Sequence, residues 1–262
     1  MSANRQAFLE LENVSVARGE KMVLHDIFLR IESGEHVAIL GPNGCGKSTL
    51  IKTMTCECYP IAQPGMQARI FGRERWEVFE LRKRLGVVAA DIPSERTLHT
   101  RGRDAVISGF FASSTIWPEM HVTGAMRQRA DAVLEQLEAR QLAEKTVGEM
   151  SAGEMRRVLI GRALVHSPEM LLIDEPSNAL DLAAQSELRQ TLRRLAQQGI
   201  GIVLITHHLA DIPPEIERVV MLRQGRIFAD GPKDELLTEN RLQKLFGVPV
   251  TISRRDGFYH VW

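Results

Sequence analysis

No apolar run in this sequence approaches the length needed to cross a bilayer. Its first residues do not have the pattern of a secretory leader. The expectation is a chain that reaches a membrane only through a partner that holds it there. Cysteine is scarce. The three thiols, Cys45, Cys56 and Cys58, are too few and odd in number for a disulfide framework, and they fit a reducing compartment. Cys56-Glu57-Cys58 is too closely spaced for a usual zinc pair and has no second pair to join it. An excess of charge is also missing. Thirty-three basic residues balance thirty-three acidic ones, so there is no overall electrostatic footprint for nucleic acid. Internal repeats and low-complexity linkers are absent. What remains is a 262-residue chain of ordinary globular composition, long enough for one large or two small domains.

The most informative stretch is ILGPNGCGKSTL, residues 39–50. It holds G-x-x-x-x-G-K-[ST] as Gly41, Gly46, Lys47 and Ser48, with a further glycine at Gly44. The apolar run 36–40 before it reads as a buried strand, and 48–54 after it as the opening of a helix. A phosphate-binding loop requires that strand–loop–helix setting. Glycines let the backbone turn tightly and aim several N–H groups inward as an anion nest. The helix N-terminus adds partial positive charge. Lys47 supplies a full charge for β- and γ-phosphates, and Ser48 a hydroxyl for Mg²⁺.

Around this loop, residues 8–32 read as a β-hairpin turning at Gly19-Glu20. Short strands are expected at 68–71, 85–90, 170–174 and 201–206, with a closing hairpin about Gln224-Gly225. From Thr100 to Val165 strands nearly vanish and helical patterns dominate, with Val133, Leu134 and Leu137 on one face. The layout is a parallel α/β core carrying an antiparallel edge layer and an inserted helical block.

Three other constellations carry chemistry. The strand MLLID ends in Asp174-Glu175, two carboxylates at the carboxyl edge of a sheet, where ligands bind in open α/β folds. Asp174 suits Mg²⁺ held through water, and Glu175 suits polarisation of an attacking water; solvated acids at a strand-end turn are the plainer alternative. Ser151 opens a strongly helical stretch with Glu154 three residues on, which is a capping box and equally a second anion site at a helix start. His207 follows the strand GIVLIT, either as a structural histidine or as a site residue.

Together these motifs resemble the nucleotide-binding subunits of ABC transporters, from about Phe8 to the C-terminus. GPNGCGKST, Gly41, Pro42, Asn43, Gly44, Cys45, Gly46, Lys47, Ser48 and Thr49, resembles Walker A. MSAGE resembles the LSGGQ signature through Ser151, Ala152, Gly153 and Glu154, with alanine for the first glycine and glutamate for glutamine. LLIDEP matches Walker B plus the catalytic glutamate, SNALD the D-loop ending at Asp181, and ITHH the switch-histidine loop. The resemblance implies a P-loop NTPase of the ABC ATPase fold, with core segments 1–99 and 167–262 and a helical subdomain at 100–166. It further implies Mg²⁺ with ATP, metal contacts from Ser48 and Asp174, and catalysis by Glu175 and His207. Two copies of the chain would sandwich two ATPs, each between one copy's Walker A and the other's signature helix. Separate membrane-spanning permease subunits would place the chain in the cytoplasm, peripheral on the inner face of the cell membrane.

Two positions depart from the family pattern. The aromatic residue that stacks on adenine aligns with Arg18, whose guanidinium can stack by its flat face or simply be a solvated turn arginine. The Q-loop glutamine aligns with Ala90, which cannot act through its side chain; Asp91 or Glu95 are candidate substitutes. The tail from Leu236 onward resembles ATPases of metal-chelate importers. The altered Q-loop and ISGFFASSTIW resemble single-domain ABC ATPases labelled as molybdenum-transport or photorepair related. The expected task is to drive import of a metal chelate or oxyanion. The rival is a soluble ABC ATPase acting on nucleic acid or a protein complex, which the neutral charge does not favour.

Overall fold

The structure is a computed structural model describing residues 6–89 and 95–262. The chain forms two compact units, one from residues 1–78 and 196–262 and the other from 79–195.

The first unit opens with the long strands β1 (Ala7–Arg18) and β2 (Lys21–Glu32), paired antiparallel as the sequence predicts, with β4 (Gln67–Ile70) on the far edge of β1. Strict alternation cannot bury both Leu24 and Ile27, yet both are fully buried. A bulge resolves the conflict, because Val14 faces Ile27 while Val16 faces Leu24. Asp26 takes φ +48° there, and its N–H donates to Ser15 Oγ at 3.0 Å. The strand expected at 68–71 stops at Ile70, since Phe71 turns away at φ +47°.

The same unit holds β3 (His36–Leu40) and α1 (Lys47–Met54). After the second unit come β7 (Gly201–Thr206), β8 (Arg218–Arg223) and β9 (Arg226–Pro232). β3 lies between β7 and β8, parallel to both, and β9 closes antiparallel on β8. β3 and β7 are apolar and almost wholly buried, as strands covered on both faces must be. Leu40 is in register with Thr206, so the loops after β3 and β7 leave neighbouring strands at one carboxyl edge. The polar tail folds as α8 (Lys233–Leu236), α9 (Glu239–Phe246) and the hairpin β10 (Ile252–Arg255) with β11 (Phe258–Val261). Tyr259 Oη ties that hairpin to α8 by donating to Asp234 Oδ1 at 2.6 Å.

The second unit contains α2 (Val78–Arg84, whose first residue belongs to the other unit), β5 (Leu85–Val88), α3 (Glu95–Leu98), α4 (Gly102–Ile107), α5 (Gly124–Gln136), α6 (Ala152–Leu164), β6 (Met170–Asp174) and α7 (Leu182–Gln197, which ends in the first unit). Val133, Leu134 and Leu137 are buried as their helical spacing predicts. β5 and β6 pair in parallel, Val88 opposite Ile173. The end of β5 and the Walker B carboxylate therefore lie side by side. The strand expected through residue 90 ends at Val88, and Ala90 and Asp91 lie outside the described residues.

Candidate functional site

In the first unit the phosphate loop is tightly built. Gly41 follows β3, and a Cβ there would stand 2.4 Å from Leu222 O and 2.7 Å from Cys45 Sγ, so only glycine fits. Gly44 takes φ +77° and Gly46 φ +113°, both left-handed conformations that glycine adopts without strain. The loop is anchored from the β8–β9 turn: Gly225 N–H donates to Cys45 O at 2.8 Å, and His25 N–H donates to Gly225 O at 2.8 Å. Lys47 is buried at 7% exposure, and its Nζ donates to Gly41 O at 2.7 Å and Pro42 O at 3.3 Å. The ammonium is thus folded back over the loop it belongs to. Asn43, Gly44 and Ser48 are exposed, while Cys45 and Thr49 are buried.

His207 leaves the same carboxyl edge, one residue after Thr206. Its ring lies 3.8 Å from that of His208. Thr206, fully buried, holds the turn: its Oγ1 donates to Asp211 Oδ2 at 2.8 Å and accepts from His208 N–H at 3.0 Å. Within this unit the structure brings the loop and the histidine to adjoining strand ends. Arg18 is an exposed residue at the β1–β2 turn, opposite Lys21.

In the second unit β6 delivers Asp174, half-buried, and then Glu175, buried at 8% exposure with φ +43°. Glutamate gains nothing locally from a left-handed backbone, and strained residues of this kind cluster where a site dictates the geometry. Asn178 N–H donates to Glu175 O at 3.3 Å. Asp181 caps α7 by accepting from Ala184 N–H at 2.8 Å.

Ser151 caps α6 as read from the sequence. Its Oγ accepts from Glu154 N–H at 3.2 Å, and Glu154 Oε2 accepts from Ser151 N–H at 2.8 Å. Lys145 Nζ adds a third bond to Glu154 Oε2, at 2.8 Å. The Lys145 ammonium foremost, then the Ser151 N–H, hold the Glu154 carboxyl below the usual carboxylate range. Ser151 and Ala152 are exposed at the helix tip. Gly153 is required by α7, because a Cβ there would meet Ala184 Cβ at 2.8 Å. Lys145 carried no local motif, so sequence reasoning passed over it; so was Arg156, whose Nη1 donates to Ala89 O at 3.2 Å. Glu95 is exposed on α3.

The Ser48 hydroxyl in the first unit and the Asp174 carboxylate in the second are each hard oxygen donors of the kind Mg²⁺ takes, and Mg²⁺ prefers a few such ligands alongside water and phosphate to a cage built wholly of protein. Among the described residues no cluster of histidine, cysteine and acidic side chains offers such a cage.

Comparison with known proteins agrees with this architecture. The ABC transporter family model matches residues 24–178. An uncharacterized ABC transporter ATP-binding protein of Bacillus subtilis, YlmA, is 32% identical over 249 residues, spanning 93% of this chain and 92% of that one. The hemin import ATP-binding protein HmuV of Aliivibrio fischeri is 31% identical, spanning 91% of this chain and 90% of its own length. Among solved structures, a metal-chelate type ABC transporter in an inward-facing conformation has a TM-score of 0.79 at 24% identity, over 97% of this chain and 96% of that one. The dimeric bacterial ABC transporter cassette MJ0796 has a TM-score of 0.68 at 26% identity, over 86% of this chain and 98% of that one. The chain belongs to the ABC transporter family, as an ATP-binding subunit with the ABC ATPase fold.

Proposed function

We propose that this ATPase drives import of a metal chelate or an oxyanion through separate membrane-spanning subunits, from the inner face of the cell membrane. The observation that carries the reading is the near full-length likeness to hemin import ATPases, supported by the glycine-shaped loop at residues 41–49. No helix among the described residues is long and apolar enough to cross a membrane.

In the proposed cycle the N–H groups of residues 41–49 and the start of α1 receive the phosphates. Lys47 exchanges the carbonyls of Gly41 and Pro42 for β- and γ-phosphate oxygens. Mg²⁺, when held by Ser48 and Asp174, supplies Lewis-acid neutralisation of those oxygens. Glu175 orients and polarises the attacking water, and His207 contacts the γ-phosphate. Ser151, Ala152, Gly153 and Glu154 of a second copy close over the nucleotide, with Asp181 beside them, and Arg18 stacks on adenine. Charge stabilisation and positioning are the main levers in phosphoryl transfer.

Purification from native membranes tests the transport assignment. Polytopic partners in stoichiometric amount are expected to copurify with the chain. Their absence, with full recovery of active ATPase in the soluble fraction, would favour the second reading, a non-transport ABC ATPase. That reading draws on one observation, Ala90 in place of the family's Q-loop glutamine, because that loop is where the family meets its membrane partner.

A further inference from the structure

Position 90 carries alanine where the family has glutamine, and a polar group from α6 reaches the residue before it. Arg156 lies on the second turn of α6, within reach of two motif strands. Its Nη1 donates to Ala89 O, the last described residue before the 90–94 segment, at 3.2 Å. The register of β5 on β6, Val88 opposite Ile173, sets that carbonyl beside the Walker B strand end. The guanidinium is half-buried, and that burial, which opposes its charge, outweighs the field of Asp174, which favours it. Among the described residues it has no carboxylate in salt-bridge contact. Its neighbour Arg157, about 100° round the helix, turns to α7 instead, with Nη2 3.5 Å from Glu187. The two arginines therefore face different elements, and of the two it is Arg156 that meets the chain just after β5.

We infer that Arg156 is a positioning residue for ATP hydrolysis, joining the signature helix to the end of β5 and setting the charge around Asp174. Arginine is never deprotonated in a protein, so its charge is permanent. That cation attracts the Asp174 carboxylate and repels a divalent metal approaching it. The two effects have the same sign: both raise the Mg²⁺ concentration needed to load the site. In return the Nη1 bond to Ala89 O ties α6 to the chain just after β5. Arg156 thus sets a less avid metal site against a better ordered one.

This inference rests on the proposed role of Asp174, and the experiment separates the two. Nucleotide binding is titrated against Mg²⁺, and turnover is measured at saturating Mg²⁺ and ATP. Arg156→Gln is expected to lower the half-saturating Mg²⁺ concentration by roughly threefold to tenfold, the size of a unit charge interaction at about 4 Å screened as in bulk water, while turnover falls. Arg156→Lys keeps the charge and is expected to hold the Mg²⁺ requirement at the wild-type value. A merely structural role would weaken metal binding or leave it alone, and would not depend on charge. An unchanged or increased Mg²⁺ requirement in Arg156→Gln overturns the inference, as does an equal fall in both variants. If Arg156→Gln does not fold, Arg156→Lys decides with Arg156→Met as the neutral comparison. Asp174→Asn serves as the control. If it leaves the Mg²⁺ requirement unchanged, the metal-ligand reading of Asp174 fails; if it raises the requirement while the Arg156 variants change nothing, only the role of Arg156 fails.

Discussion

At the scale of single residues, local chemistry was legible and distant chemistry was not. Ser151 and Glu154 announce a capping box because both partners sit within one turn, and both bonds are present. Lys145, nine residues from its partner Glu154, and Arg156, sixty-seven from its partner Ala89, carried no such signal. Only the folded chain brings them to their partners. Lys47 shows what the local signal is worth. Its ammonium is buried among carbonyls it would exchange for phosphate oxygens, and charge-assisted bonds of that kind are among the strongest available. Lys47→Ala is expected to weaken ATP binding roughly hundredfold or more, read by equilibrium titration; an unchanged affinity would remove the loop from the site. Glu154 gives a pH dependence. A carboxylate held below its unfolded value adds stability above that value, about 4.3. The contribution is lost as pH falls through the folded value. Glu154→Gln keeps the capping bond but loses the Lys145 pair, so it should be less stable by about 0.5 kcal/mol at neutral pH. The gap should close on acidification below about pH 4, in thermal unfolding series; a gap independent of pH would assign the loss to something other than charge. Ser151→Ala, which removes the cap itself, should cost about 1 kcal/mol at any pH.

At the scale of elements, apolar strands announced themselves and polar ones did not. β3, β6 and β7 are short runs of buried aliphatic residues. β10 and β11, with only Tyr259 buried, have no such pattern. The β8–β9 hairpin was visible as a turn at Gln224-Gly225, but its purpose was not. Its turn buttresses the phosphate loop, through Gly225 N–H on Cys45 O. Gly225 sits at φ +73°, and a Cβ there would lie 2.1 Å from Val23 O, so the β2 backbone would have to move. Gly225→Ala should therefore cost about 1–3 kcal/mol and weaken ATP binding at the same time, although the position is nearly 180 residues from Lys47 in sequence. Gly231→Ala, on β9 with nothing within 4 Å of the added methyl, is the matched control and should do neither. If Gly225→Ala loses stability with ATP affinity intact, the turn supports the fold without shaping the loop.

At the scale of the whole molecule, the chain has features that call for a second copy. Ser151 and Ala152 are exposed at the tip of α6, and Leu182, beside Asp181, is 83% exposed, an apolar side chain at the D-loop that a second copy would cover. Zero net charge sets no electrostatic barrier to self-association. These features fit the sandwich of two copies with ATP between them, and ATP is then part of the interface. Any change that preserves the nucleotide should preserve the dimer. Glu175→Gln is such a change. The amide keeps the shape of the side chain but cannot take up a proton from water, so the nucleotide should stay bound and uncleaved. With Mg²⁺ and ATP, Glu175→Gln is expected to run at twice the monomer mass in size exclusion with light scattering, and at monomer mass when nucleotide is left out. The wild-type chain should show the dimer only transiently, because hydrolysis removes the group that bridges it. Adding Ser151→Arg to Glu175→Gln separates bridging from binding: a bulky cation at the tip of α6 should abolish the dimer while the ATP affinity of each copy stays as it was. A Glu175→Gln chain that hydrolyses ATP at the wild-type rate would rule out this residue as the base. A dimer that survives Ser151→Arg would show that the copies meet on another surface.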